Sequence, residues 1–395
     1  MAKTVVILGG AYAGVQVAHR LLKHTRSSVP DLKVILVSKN SHFYWNLASV
    51  RAIVPGVLEE SQYSQPLADG FAKYPGEAFE LVVGSAQAVD VDARTVRVAS
   101  AADTTTTTTT NKEQPQPRIL SYDHLVLATG TRDVDPAMPW KGSGTHEEVG
   151  AAVSQVRDRV AAASHIVVAG AGATGVEVAA ELRYEFKDAK TVVLLSAGDE
   201  ILGGDSVAPN AAAELEKLGV EVRTGARVVS SSVLPDGKTE VVLAGNGGGD
   251  GDGDGNNKIT TDLYLPTMGV VPNTDYLPEG LLTDKGFVDV DEFFAVKNAK
   301  DVWAAGDIVW KPRGSFVLAD MQAAGVAKNI DLVLKGKSPA VVKTLPFDVF
   351  LCATGRSRGV GRMGVVKVFS FMVYFIKGKT LGVQRLPGWV DGSSF

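Results

Sequence analysis

Two stretches of this 395-residue chain could hold a dinucleotide, and both would do so through backbone groups. Apolar residues 4–8 run into Gly9, Gly10, Ala11, Ala13 and Gly14, and residues 166–169 run into Gly170, Gly172, Thr174 and Gly175, 161 positions later. An apolar strand, a glycine turn and a helix start place free N–H groups and the positive end of a helix against a pyrophosphate. One such pattern is weak evidence. Two at this spacing imply two dinucleotides that exchange a hydride, FAD at one turn and NADH or NADPH at the other.

The second turn is complete, whereas the first carries Ala11 where a glycine would let the backbone approach the pyrophosphate most closely. Ser38 and Ser196 end the two following strands, at the place where a carboxylate would hold ribose hydroxyls. Ser38 can still hydrogen-bond one ribose hydroxyl, and Ser196 neither repels nor attracts a 2′-phosphate, so NADH and NADPH stay open. Glu177 falls two positions beyond the last glycine of the second turn, at a helix start expected to face the nicotinamide. Its plainer role is a carboxylate complementing the helix dipole. Glu181, one turn on, reads as structural. Gly306-Asp307 closes a strand and offers a carboxylate to a ribityl hydroxyl, or simply a helix cap. A helix from about Ala319 to Leu334 would aim its start, near Met321, at the pyrimidine edge of a flavin.

Absences narrow the chemistry. Cys352 is the only cysteine, so no intramolecular disulfide and no dithiol relay can form. Six scattered histidines show no metal-ligand spacing, and no Ser/His/Asp elbow is present. Electrons would therefore leave a flavin directly for an external acceptor. The net charge of −4 gives no reason to expect nucleic-acid binding. That charge is uneven: residues 331–395 carry a local balance of +7.

The elements that must position these residues are those of an α/β chain with two Rossmann-like units, one inserted in the other. Strands are expected at 4–8, 32–37, 120–127, 191–195, 262–266 and 299–305. The boundaries predict an FAD-binding domain over 1–145 and 262–334, an NAD(P)H-binding domain over 146–261, and a C-terminal region over 335–395. The runs Thr104–Thr110 and Gly245–Asn257 are low in complexity and read as solvated insertions; Asp250, Asp252 and Asp254 begin like a calcium loop but lack its closing glutamate. A first strand starting at Thr4 leaves no room for a leader, and Ala2 excludes N-myristoylation, so a cytoplasmic location is expected.

Over nearly its whole length the chain resembles the two-dinucleotide-binding flavoproteins of the glutathione-reductase-like fold. It looks more narrowly like the apoptosis-inducing-factor-like, ferroptosis-suppressor branch related to type II NADH dehydrogenases. The narrow likeness rests on residues 46–51, Ala128-Thr129-Gly130, Gly175-Val176-Glu177, Gly306-Asp307 and the glycine-arginine segment 355–361. The resemblance implies FAD oxidising NAD(P)H and passing electrons to quinones. It adds Lys39, Asn46, Arg51, Thr129, Gly130 and Gly269 to the cofactor-binding set, places Glu177 beside nicotinamide and flavin, and places Lys343 on the flavin's quinone-facing side.

The leading expectation is thus an FAD-dependent NAD(P)H oxidoreductase with a quinone-type acceptor. The alternatives are reduction of a small redox protein or radical, and a non-catalytic NADH-sensing flavoprotein with a signalling role. Residues 365–376 pack ten apolar side chains into twelve positions, ringed by Arg356, Arg358, Arg362, Lys367, Lys377 and Lys379. A run this short cannot span a bilayer, which needs roughly 20 residues, but could lie on an anionic surface. The other expectation is a buried element closing the flavin domain or a homodimer interface.

Overall fold

A computed structural model describes residues 3–100, 117–244, 257–311 and 313–395. The threonine run, the glycine-aspartate run and its calcium-like segment lie outside the described residues. Two sheets organise what remains. In the first, strands Val302–Ala304, His124–Leu127, Lys3–Leu8, Leu32–Ser38 and Phe79–Asp90 lie side by side in parallel. Strands Thr95–Ser100 and Arg118–Ser121 extend it antiparallel. Central strands buried on both faces need continuous apolar sequence, which Val5–Leu8 and Val34–Val37 supply. The first turn leads into the helix Tyr12–Arg20.

The second sheet repeats the order on a smaller scale: Glu221–Arg223, Thr191–Leu195, His165–Ala169 and Leu263–Pro266, all parallel. The second turn leads into the helix Ala173–Phe186. A three-stranded antiparallel sheet flanks this unit. Strand Leu263–Pro266 pairs with His165–Ala169, so this sheet continues past the expected return at 262. The two crossings between the units, Thr131–Asp133 and Val270–Pro272, pair antiparallel with each other.

Beyond the long helix Phe316–Leu334, the C-terminal region folds as an antiparallel sheet (Val349–Ala353, Gly359–Met363, Val366–Val368) followed by short helices. Its basic residues do not ring a free surface. Arg362 pairs with Asp205 at 2.7 Å, Arg356 with Glu181 and Glu185, and Arg358 with Glu214 at 3.6 Å; Lys367 donates to Asn210. The positive tail is docked on the acidic second unit, which accounts for the uneven charge along the chain. The apolar run is not buried either. Val365, Phe369, Phe371 and Phe375 are 94, 71, 61 and 64 % exposed, which overturns the expectation of a buried closing element within one chain. Among the described residues, no helix is long and apolar enough to cross a membrane.

Candidate functional site

A cavity of about 870 Å³ follows the first glycine turn, inside the range of roughly 300–1,000 Å³ usual for cofactor sites. Gly9 sits at φ +118°, and a Cβ there would come 2.2 Å from the Ala128 carbonyl oxygen. A Cβ on Gly14 would lie 1.8 Å from the carbonyl of Gly9, so this glycine brings helix against strand and does not itself line the cavity. Gly10, Ala11 and Ala13 do line it. No side chain caps the Tyr12–Arg20 helix, so its first-turn N–H groups are left for a ligand.

At one end the cavity is lined by Ser38, Lys39 and residues 84–87. The Ser38 hydroxyl donates to the Asn40 carbonyl at 2.5 Å, so it can meet a ribose hydroxyl only as an acceptor. Lys39 pairs with Glu148 at 2.9 Å. Midway, Asn46 donates to the Trp140 carbonyl at 2.9 Å, and Thr129 donates to the Asn273 carbonyl at 2.8 Å beside Gly130 at φ +63°. Thr131, also on the lining, keeps a buried hydroxyl with no partner. Gly306 and Asp307 lie on the lining, and Asp307 accepts from Lys141 at 2.7 Å. The long helix begins at Phe316 rather than Ala319, and Ser315, Phe316 and Ala319 face the cavity. Met321 is therefore inside the helix, and the free N–H groups belong to its first turn above Ser315.

The far end is built by three parts of the chain. Thr174 and Glu177, from the second-turn helix, line it together with Lys377 of the C-terminal region. The Glu177 carboxylate accepts from the Ala353 N–H at 2.8 Å and pairs with the Lys377 ammonium at 2.5 Å. Lys377 also donates to the Leu351 carbonyl at 3.1 Å. Burial works against its charge, yet the Glu177 carboxylate beside it holds its pKa above the ordinary lysine value. Burial, reinforced by Glu177, pushes the Cys352 thiol well above the ordinary cysteine range. That thiol is fully buried and inert at neutral pH.

A second, smaller cavity of about 240 Å³ follows the second turn, lined by Gly170, Gly172 and Ser196. Gly170 takes φ +102°, and a Cβ on Gly175 would fall 1.8 Å from its carbonyl. A Cβ on Gly172 would meet nothing within 4 Å, which is the open space a pyrophosphate needs beside the turn. The Ser196 hydroxyl donates to the Glu200 carbonyl at 2.8 Å, repeating the arrangement at Ser38. Gly172 lines this cavity and Ala173 the first, so the start of one helix borders both. The donor-rich turns, the uncapped helices and the orphan Thr131 hydroxyl fit a dinucleotide in each.

Besides Gly14 and Gly175, which pack helix against strand, three expected site residues line neither cavity. Lys343 is exposed on the segment after the long helix and is absent from the cavity lining; Lys377 is the lysine at its far end. Arg51 is buried away from both cavities, because its guanidinium is engaged by Glu181 and by two carbonyls of the C-terminal region. Gly269, at φ +76° just before the returning strand, packs near Val134 and lines neither cavity. Sequence reasoning grouped Lys377 with the surface bases. A lysine directly after Phe375-Ile376 in an apolar run was the available signal.

The sequence profile described as "Pyridine nucleotide-disulphide oxidoreductase" matches residues 3–357. Oxidoreductase ptaL of Pestalotiopsis fici is 38 % identical over 394 residues, covering 99 % of both chains. Human ferroptosis suppressor protein 1 is 25 % identical, covering 96 % of this chain and 94 % of its own. The sulfide:quinone oxidoreductase of Aquifex aeolicus superposes with a TM-score of 0.72 at 17 % identity over 99 % of this chain and 92 % of its own, a likeness of fold.

Proposed function

This chain belongs to the pyridine nucleotide-disulphide oxidoreductase family, whose cofactors are FAD and a nicotinamide nucleotide, and from that premise we propose that it is an FAD-dependent NAD(P)H oxidoreductase with a quinone-type acceptor. The observation that carries the reading is that Ala173, Thr174 and Glu177 of the second-turn helix line the first cavity, beside Lys377, while the adjacent Gly172 lines the second. The family name includes a disulfide, but a single buried cysteine provides no dithiol, so electrons go straight to an external acceptor.

When bound, FAD supplies the redox chemistry, taking a hydride from the nicotinamide and giving two electrons to the acceptor. The residues of the chain do the rest. Gly9–Ala13 and Gly170–Gly172 seat the two pyrophosphates on backbone N–H groups. Asp307, steadied by Lys141, accepts from a sugar-alcohol hydroxyl. The helix starting at Phe316 and the Lys377 ammonium place positive potential at the ring end, where negative charge grows on reduction. Glu177 keeps Lys377 protonated and in place. The exposed strip at 365–376 leads directly into Lys377 and serves as the approach for an apolar acceptor from a lipid surface.

Purified protein should be yellow, with an absorbance near roughly 450 nm that NADH or NADPH bleaches. Reoxidation is then timed with a short-chain quinone, with a small iron–sulfur protein and with oxygen. Recovery within seconds on quinone alone supports the reading. Recovery only with the protein carrier favours the redox-protein alternative, and a reduced complex persisting for minutes with every acceptor favours a sensing role. Flotation on anionic vesicles tests the lipid approach, and light scattering tests whether a second copy covers the same strip.

A further inference from the structure

Glu177 and Glu181 stand one helical turn apart on the same face of the helix Ala173–Phe186 and are both buried. Glu177 takes Lys377, whereas Glu181 takes two arginines, Arg51 at 2.6 Å and Arg356 at 3.0 Å. Arg51 comes from the first unit, Glu181 from the second, and Arg356 from the C-terminal region, so one carboxylate joins all three. The pairing between Arg51 and Glu181 is bidentate, through Nε and one terminal nitrogen.

Arg51 does more than neutralise this carboxylate. Its terminal nitrogens also donate to the Gly378 carbonyl at 2.7 Å and to the Lys379 carbonyl at 2.9 Å. Those carbonyls follow immediately on Lys377, at the end of the wide π-turn Tyr374–Gly378. Helix ends leave carbonyls without partners, and a buried one must be satisfied. The fork of Arg51 satisfies two, and fixes the peptide next to Lys377 while its other edge is locked to Glu181. A compact ammonium could not span these four acceptor atoms in one plane.

We propose that Arg51 is a positioning residue, which acts through the 377–379 turn to hold the Lys377 ammonium on Glu177 at the cavity. The proposal rests on the role given above to Lys377. It replaces the expectation that Arg51 binds a cofactor.

The experiment compares Arg51→Met, Arg51→Lys, Lys377→Met and the double variant Arg51→Met/Lys377→Met. In protein stripped of cofactor, hydrogen exchange at the amides of Lys379 and Leu381, which close on the Tyr374 and Lys377 carbonyls, should quicken at least about tenfold in Arg51→Met, the change expected when roughly 1.4 kcal/mol of local support is lost. Exchange in the remote strand Leu32–Ser38 should not change. In loaded protein, FAD occupancy and the KM for NADH stay within about twofold of wild type, while kcat falls nearly as far as in Lys377→Met. The double variant loses nothing further, as expected for two residues acting as one unit. Arg51→Lys, which keeps charge beside Glu181 and retains the fold if Arg51→Met does not, moves the same readings in the same direction. Unchanged exchange at 379 and 381 overturns the proposal, as does FAD loss in Arg51→Met or additive losses in the double variant. Full turnover in Lys377→Met instead overturns the role of Lys377, and the exchange data then decide the Arg51 clamp separately.

Discussion

Gly9 and Gly170 take φ of +118° and +102°, and a Cβ on Gly14 or Gly175 would fall the same 1.8 Å from the carbonyl of its turn's first glycine. Ser38 and Ser196 both donate to a carbonyl a few residues on. Around these near-identical turns the surroundings diverge. The first opens on about 870 Å³ bounded by all three parts of the chain, and the second on about 240 Å³ lined by the second unit and Met268 just beyond its last strand. A large cavity lined by several units offers a held cofactor more contacts than a small one does.

The comparison breaks most decisively at Gly172. Gly172→Val puts a side chain into open space, so the protein keeps its fold and its FAD. Loss of the pyrophosphate seat should slow NADH-driven flavin bleaching by about a thousandfold, roughly 4 kcal/mol of lost hydrogen bonds to a charged group. Stopped-flow bleaching at wild-type speed would show that the nicotinamide does not use this turn.

Acid should separate the two units next. Burial, stacked on Phe71, holds the His19 imidazole down at about 4. The unfolded chain binds this proton near pH 6.5 and the folded chain does not, so stability is complete above that value. It is lost as pH falls from about 6.5 to 4, by about 3 kcal/mol. All five tryptophans lie outside residues 146–261, so their fluorescence in urea titrations follows the first and C-terminal parts. A steady midpoint from pH 7 to 4.5, or one that His19→Gln leaves equally steep, would contradict this.

Asp307→Ala should weaken FAD by about tenfold, the worth of one hydrogen bond to a charged group, with the KM for NADH unchanged. Equilibrium dialysis of FAD measures it, and an equal loss at both nucleotides would erase the division of labour. The smallest effect is expected from Ala11→Gly, which makes the two turns alike. FAD should bind no more than about threefold tighter, because the helix start already leaves its N–H groups open around the methyl.

The turns were legible in the sequence because a glycine's reason for being there is local: the clashes at Gly14 and Gly175 arise within six residues of chain. Glu177 was legible from its offset to such a turn. Lys377 and Arg51 were not, since their roles depend on Glu177 and Glu181, which lie 200 and 130 positions away. The tail's bases left a lipid surface open as their partner for the same reason; the acids that engage them belong to the second unit. The long helix was placed three residues late because Ser315 makes no side-chain cap and no acid marks the first turn. Ser38 and Ser196 line the two cavities, but their hydrogen bonds to the backbone depend on loop shape.

Lys377 also sets the order in which this protein can mature. The second sheet is complete once Leu263–Pro266 has been synthesised, yet the Glu177 carboxylate in its helix has no cation until residue 377 emerges. Through that interval the helix carries a charged, hydrated flank where the finished protein has interior. Drying that flank therefore waits on late-made sequence. A nascent chain halted before that point would own both nucleotide turns and still lack the wall that closes them together.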